Sequence, residues 1–439
     1  MGHLEYGIQE AAELYTYAYP LVMLELTHAG KLRDDRFYHL RQFPTEQDRK
    51  IVRPNRDTLY SIGFTQLKNT PYLLRIADIR ERYYLVQVMN AYTEVIASIG
   101  TRTPEMAEGD YLFLYQDDEI PQGYENYKIV RSDDSINHFL VRTETRGEAD
   151  YAFVNQLQDT MIFQPLYPEK IADTKTVAEL LGVSPETVDE KVPPVIRMDT
   201  LDISLFLKVF AESSLVNPIT DPHIEAVFTY FGYEKTTGSF DYNSLSPQKQ
   251  ELLAHAQEAA FSLFRNYKND KKTRRNNWSY YYNGLGAYGN DYLLRAQTAY
   301  IGYGANLSAD CIYPFTYTDS SGEKLKSERN YILHFAKDGF PHAAVFWSVT
   351  VYGEPSQSLA KNAGNRYTVS SYDLEQRIKN EDGSLDIFLS REEPEDQKRK
   401  ANWLPVPTDE DEFSLVIRIY YPDEVTLEGK WDGPDITAV

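Results

Sequence analysis

Apolar residues recur along this chain with two different periods. Near the start, Ile8, Ala11, Ala12, Tyr15, Ala18 and Tyr19 repeat at three- and four-residue spacing. That spacing predicts an amphipathic helix over residues 8–28, broken or kinked at Pro20. A run of strand signals follows: 60–67, 82–89, 95–99, 111–115, 127–130 and 139–143, rich in Tyr, Val, Ile and Leu. Gly, Pro, Asp and Asn separate them, which argues for an antiparallel sandwich or barrel.

The period then changes. Residues 148–160, 176–181, 202–215, 222–230 and 246–267 read as helices, with Pro193-Pro194 as a linker. Ser246-Pro247 supplies an N-cap and a first-turn proline. A helix from Asp291 toward Ala305 leads back to strands. Residues 311–318 and 331–336 flank the turn Asp319-Ser320-Ser321-Gly322 and predict a hairpin. Further strands are expected at 343–352, 384–389 and 413–421. Along Phe346–Tyr352, alternation places Phe346, Ser348, Thr350 and Tyr352 on one face, and Trp347, Val349 and Val351 on the other. The expected class is mainly β with a helical middle segment (α+β), built on two antiparallel β-sandwich domains. The expected divisions are 1–145, a β-rich unit with a leading helix; 146–290, a helical connection; and 291–439, a second β unit.

Composition narrows the function classes. At 439 residues, two or three domains are expected. Tyr outnumbers Phe by 35 to 20, which suits strand faces and half-polar clefts. The net charge of −21 argues against nucleic acid and anionic membranes as partners, since no excess of Lys or Arg is left to neutralise phosphate. The one basic run, Lys271–Arg275, reads as a solvated loop. Cys311 is the sole cysteine and sits in an apolar run, so a buried inert thiol is expected. Met1–Glu5 shows no basic or apolar leader pattern, and no window has the length of a membrane span, so a cytoplasmic protein is expected.

The densest chemistry lies in Arg53-Pro54-Asn55-Arg56-Asp57-Thr58-Leu59-Tyr60. Pro54 biases Arg53 toward an extended backbone, and Asn55 and Asp57 can cap a turn. Two readings stay open. The octapeptide is either a buried turn network or a binding corner, in which Arg53 clamps an anion, Asp57 orients it or acts as base, and Tyr60 forms a wall. In the second β region, Asn306, Asp310, Trp347 and Arg418 stand out among the polar and aromatic residues. Gly284-Leu285-Gly286-Ala287-Tyr288-Gly289 spells a dinucleotide fingerprint. The tyrosine-rich run before it is no aliphatic parallel strand, so a loop allowing close backbone approach is the better reading. His334 and His342 flank a turn and could face each other, but further metal ligands at set spacing are missing. No cofactor or metal is expected, and no catalytic motif decides whether the chain is an enzyme.

Two blocks carry a family resemblance. Arg53–Tyr60, with Arg82-Tyr83-Tyr84, Gln87 and Ile99-Gly100-Thr101-Arg102-Thr103, resembles domain of unknown function 1254. Tyr288–Ala296, Gly304-Ala305-Asn306, Asp310, Tyr313-Pro314, Asn330-Tyr331, Phe346–Tyr352, Asp382–Leu385, Asn402–Pro405 and Arg418–Tyr420 together resemble domain of unknown function 1214. The pattern departs at Asn90 and Glu94, where an Asp and an Asn are expected. The resemblance implies two β-rich domains, the second jelly-roll-like and similar to capsid proteins, a homo-oligomer, and members that are often exported. It implies no reaction. Two functions follow as expectations. One is a binder of a polar small molecule or saccharide in a cleft between domains, with Arg53, Asn55, Asp57, Tyr60, Asn306, Asp310, Trp347 and Arg418 as candidate site residues. The other is a non-catalytic assembly protein that oligomerises through its jelly roll.

Overall fold

The leading helix, Ile8–His28, passes through Pro20 unbroken. Apart from Glu13, every residue from Ala11 to Leu26 is buried. The helix is therefore central rather than amphipathic, as expected of an element surrounded on all sides. It packs on helices Ile203–Ser214, Pro222–Tyr230, Pro247–Asn266 and Tyr292–Gly302. Asp202 and Asp221 cap two of these by accepting backbone N–H groups through their carboxylates. The computed structural model describes residues 6–28, 35–48, 52–77, 79, 82–171, 198–266, 272–281 and 284–439. The helix expected at 176–181 and the linker Pro193-Pro194 lie outside these residues.

The first β unit holds two sheets on one core. One runs Tyr38–His39, Thr58–Phe64, His138–Glu144, Tyr84–Met89, Val95–Gly100. The other runs Lys128–Ser132, Gly109–Tyr115, Tyr72–Ile76, Ile162–Pro165. Strand His138–Glu144 shows how the layers are set. Phe139 and Val141 point into the core between the sheets. By alternation His138, Leu140 and Arg142 point the opposite way, toward the helices. They lie opposite Phe64, Ile62 and Tyr60 in register. That second face places a buried arginine under the helical layer.

The C-terminal unit also has two sheets on one core. The larger runs Lys272–Arg275, Trp278–Tyr281, Phe315–Thr316, Glu412–Pro422, Ala343–Glu354, Thr368–Ser370, with Cys311–Ile312 beside Glu412–Pro422. The smaller runs Trp403–Pro405, Leu385–Ser390, Tyr331–Phe335, Asp435–Ala438. Three sequence expectations change. Residues 272–275 of the basic run form a strand and not a loop. The hairpin at 311–336 does not form: the turn closes only the bridge Thr318–Lys324, after which the chain crosses to the other sheet. The sheets are also not wholly antiparallel, because Gly109–Tyr115 pairs parallel with Lys128–Ser132 and Leu385–Ser390 with Trp403–Pro405.

Phe139 meets the rings of Phe113 and Phe163, both at 4.8 Å. Phe139→Ala should cost about 3–5 kcal/mol of unfolding free energy in urea titration. A loss below about 1 kcal/mol would mean that the two sheets do not depend on this contact.

Candidate functional site

The long strand pair Ala343–Glu354 and Glu412–Pro422 sets the site. Its register places Ser348 opposite Arg418 and Phe346 opposite Tyr420. Trp347, Val349 and Val351 fill the C-terminal core, as alternation predicts. The other face carries Ser348, Thr350, Tyr352, Arg418 and Tyr420, and it meets the octapeptide. Arg418 donates to the Arg53 carbonyl at 3.0 Å, to the Tyr352 hydroxyl at 2.7 Å and to Thr350 Oγ1 at 3.0 Å. The Tyr352 hydroxyl in turn donates to the Pro54 carbonyl at 2.6 Å.

These contacts hold Arg53 in a left-handed backbone with φ of 48°, not in the extended form that Pro54 favours. The Arg53 N–H donates to the Gln357 carbonyl at 2.7 Å, and its guanidinium meets Tyr317 and Glu354, the latter at 3.3 Å. Anchors from the C-terminal unit thus offset the local preference. Asn55 makes the turn: its Oδ1 accepts the N–H groups of Asp57 and Thr58, and its Nδ2 donates to Tyr420. Asp57 leaves the turn and reaches across. Its Oδ2 accepts from Ser348 at 2.6 Å and from Tyr420 at 2.9 Å. Burial raises the Asp57 pKa, against the pull of Arg418, Ser348, Tyr420 and Arg56.

Beside this junction lies a cavity of about 290 Å³. Arg53, Asn55, Tyr60 and Arg418 line it. So do Arg142, Leu140, Tyr303, Tyr313, Phe315 and Ile301. Asp57 does not, since it points to the far side. Among the described residues, no Asp or Glu lines this cavity. Arg142 is the residue that sequence reasoning missed. Only 5% of it is exposed. It donates to Gln87 and to the Gly304 carbonyl and lies 5.2 Å over the Tyr60 ring. Among the described residues it has no carboxylate partner, and its Nε has no hydrogen bond. The signal was present in Phe139-Leu140-Val141-Arg142: a charge on a strand face that a helical layer covers.

The other candidates lie elsewhere. Asp310 bonds Ser98 and Arg102 across the junction. Asn306 is buried on Tyr313, Leu307 and Cys311. Trp347 stacks in the core with Phe335 and Phe340. The Gly-rich loop serves a close approach. Gly286 accepts the Val95 N–H at 2.8 Å, where a Cβ would meet Val95 at 2.8 Å. The N–H groups of Tyr288 and Gly289 bind the Glu94 carboxylate, so this anion-binding turn holds a carboxylate of its own chain. His334 and His342 take separate partners, Asp386 and Asp423. Cys311 is buried, and burial pushes its thiol up to about 12.

The architecture defines a two-unit β protein whose units meet through a polar octapeptide. Residues 35–165 match the family described as protein of unknown function (DUF1254), and residues 310–424 match that described as protein of unknown function (DUF1214). The chain belongs to the two-domain family that joins these units in this order. The VPA0106 protein from Vibrio parahaemolyticus shares the fold, with a TM-score of 0.68 at 20% identity over 98% of this chain and 99% of that one. An uncharacterised protein from Burkholderia cenocepacia aligns over 98% of this chain and 94% of its own, with a TM-score of 0.45 at 11% identity. No curated protein matches the chain.

Arg418→Met would strand the Arg53 carbonyl and leave Asp57 without its buried counter-charge. It should cost about 3–5 kcal/mol in urea titration. Asp57 gives a pH signature. With its folded pKa raised, the folded protein keeps a proton that the unfolded chain has released. Stability therefore falls as pH rises from the ordinary Asp range through the raised value. Asp57→Asn should remove that fall. A mutant profile parallel to that of the wild type would contradict the assignment.

Proposed function

We propose that the cavity between the two β units binds a small anion with an apolar body, such as an aromatic or medium-chain carboxylate. The observation that carries this reading is the charge of the cavity. The chain as a whole carries −21, yet among the described residues Arg53, Arg142 and Arg418 line this space without one acidic side chain. An uncompensated buried guanidinium costs several kcal/mol, so Arg142 favours an incoming anion. A guanidinium also matches a carboxylate edge in a planar fork. Leu140, Ile301, Phe315 and Val416 supply apolar walls, and the volume lies near the lower end for small-molecule sites. These walls favour an amphiphilic acid over a saccharide. Two C-terminal sheets on one core accord with a jelly-roll-like scaffold that presents Arg418 to the cavity.

Thermal unfolding with benzoate, hexanoate and octanoate tests the proposal. At about 100 times its Kd, a ligand should add about 2.7 kcal/mol of stability. Arg142→Met should abolish that gain, and because it leaves the buried Gln87 Oε1 without its donor it should cost the ligand-free protein about 1–3 kcal/mol. No gain with any acid, or an Arg142→Met protein that keeps the full gain, would make Arg142 purely structural. If no acid binds and light scattering shows an oligomer that resists dilution, the assembly reading is favoured instead.

A further inference from the structure

The octapeptide has a second face. On it lies another cavity, of about 360 Å³, lined by Arg56, Asp57, Arg146, Arg366, Tyr367 and Tyr372 among others. Its walls come from both β units, and its chemistry differs from that of the first cavity. Arg56 is fixed between two rings, 5.0 Å from the centroid of Phe43 and 5.1 Å from that of Tyr367. Its Nη1 donates to the Pro44 carbonyl at 2.8 Å, and among the described residues its other nitrogens have no hydrogen-bond partner. Arg146 lies 4.5 Å over the Tyr372 ring and uses Nε on Glu144. Arg366 donates Nη1 to the Trp403 carbonyl at 2.9 Å. Among the described residues, neither Arg56 nor Arg366 forms an ion pair.

Asp57 also lines this cavity. Its Oδ2 accepts from both Ser348 and Tyr420, and among the described residues Oδ1 takes no hydrogen bond. Of the remaining acids, Asp373 is committed to the Ser370 N–H and to Arg377, and Glu148 is exposed at the wall. Three guanidinium edges face a common space. One anionic group satisfies one such edge, so a ligand that satisfies several carries more than one charge.

We infer that this second cavity binds a multiply charged oxyanion, a polycarboxylate or a phosphate ester, through Arg56, Arg146 and Arg366. The site is separate from the first cavity, and the octapeptide forms the wall between them. Isothermal titration of the full chain at low salt, with citrate, inorganic phosphate and acetate, tests it. Citrate or phosphate should bind at least about tenfold more tightly than acetate, since only they span more than one guanidinium. A preference for citrate identifies a polycarboxylate, and a preference for phosphate a phosphate ester. Arg366→Gln, at an exposed position that cannot unfold the chain, should weaken binding by about tenfold or more, and Arg56→Gln likewise. Arg142→Met should leave it unchanged, which separates this site from the first cavity. Failure of both anions to bind, or an Arg366→Gln protein that binds both as wild type does, would overturn the inference.

Discussion

The structure turns on the fork of Arg418. It is buried in the face that the C-terminal unit presents to the N-terminal one, and it donates to a hydroxyl, a phenol and the main-chain carbonyl of Arg53. A guanidinium offers several rigid donors, so one side chain fixes partners on both units at once. Burial alone would lower its pKa, but Tyr352, Tyr420 and Asp57 more than offset that, and Arg418 stays charged. Asp57 and Asn55 complete the junction by reaching Tyr420 and Ser348. The octapeptide is thus neither a simple turn nor a simple binding loop. It is the seam along which two β units are joined, and the seam has a cavity on each side.

Charge is what makes those cavities informative. A chain with 66 acidic residues has carboxylates enough to neutralise every buried cation. Glu354 is used in this way on Arg53 and Asp310 on Arg102. Against that background Arg142 has no carboxylate partner among the described residues. An interior that leaves a guanidinium uncompensated carries a standing cost, and a ligand anion relieves it. The same logic distinguishes the two cavities. One has apolar walls around buried cations, and the other has ring-stacked, partly solvated cations around a protonatable carboxyl.

Local pattern went far in this chain and stopped where partners are distant. Phe346–Tyr352 alternates cleanly, so the faces of the central strand were legible, including the side that carries Ser348, Thr350 and Tyr352. The helix over residues 8–28 was legible too, though not its position at the centre of a helical layer, which depends on four helices far along the chain. The turn at 319–322 was correctly placed, but the strand after it pairs with Leu385–Ser390 and Asp435–Ala438, a choice that no local pattern encodes. Arg53 shows the limit most plainly. Its neighbour Pro54 favours an extended backbone, and anchors from Gln357 and Arg418 hold it left-handed instead. Within the candidate set, Arg53, Asn55, Tyr60 and Arg418 converge, Asp57 turns to the opposite face, and Trp347 belongs to the core. Arg142 escaped notice because a strand arginine is usually solvated, and only the helical layer above it makes it otherwise.

The decisive measurement is a crystal structure of the protein soaked with benzoate or octanoate. The carboxylate should lie within hydrogen-bonding distance of Arg142, with the apolar body along Leu140, Ile301 and Val416. A cavity holding only water at saturating ligand, or an Arg142 turned onto a carboxylate of its own chain, would contradict the proposal.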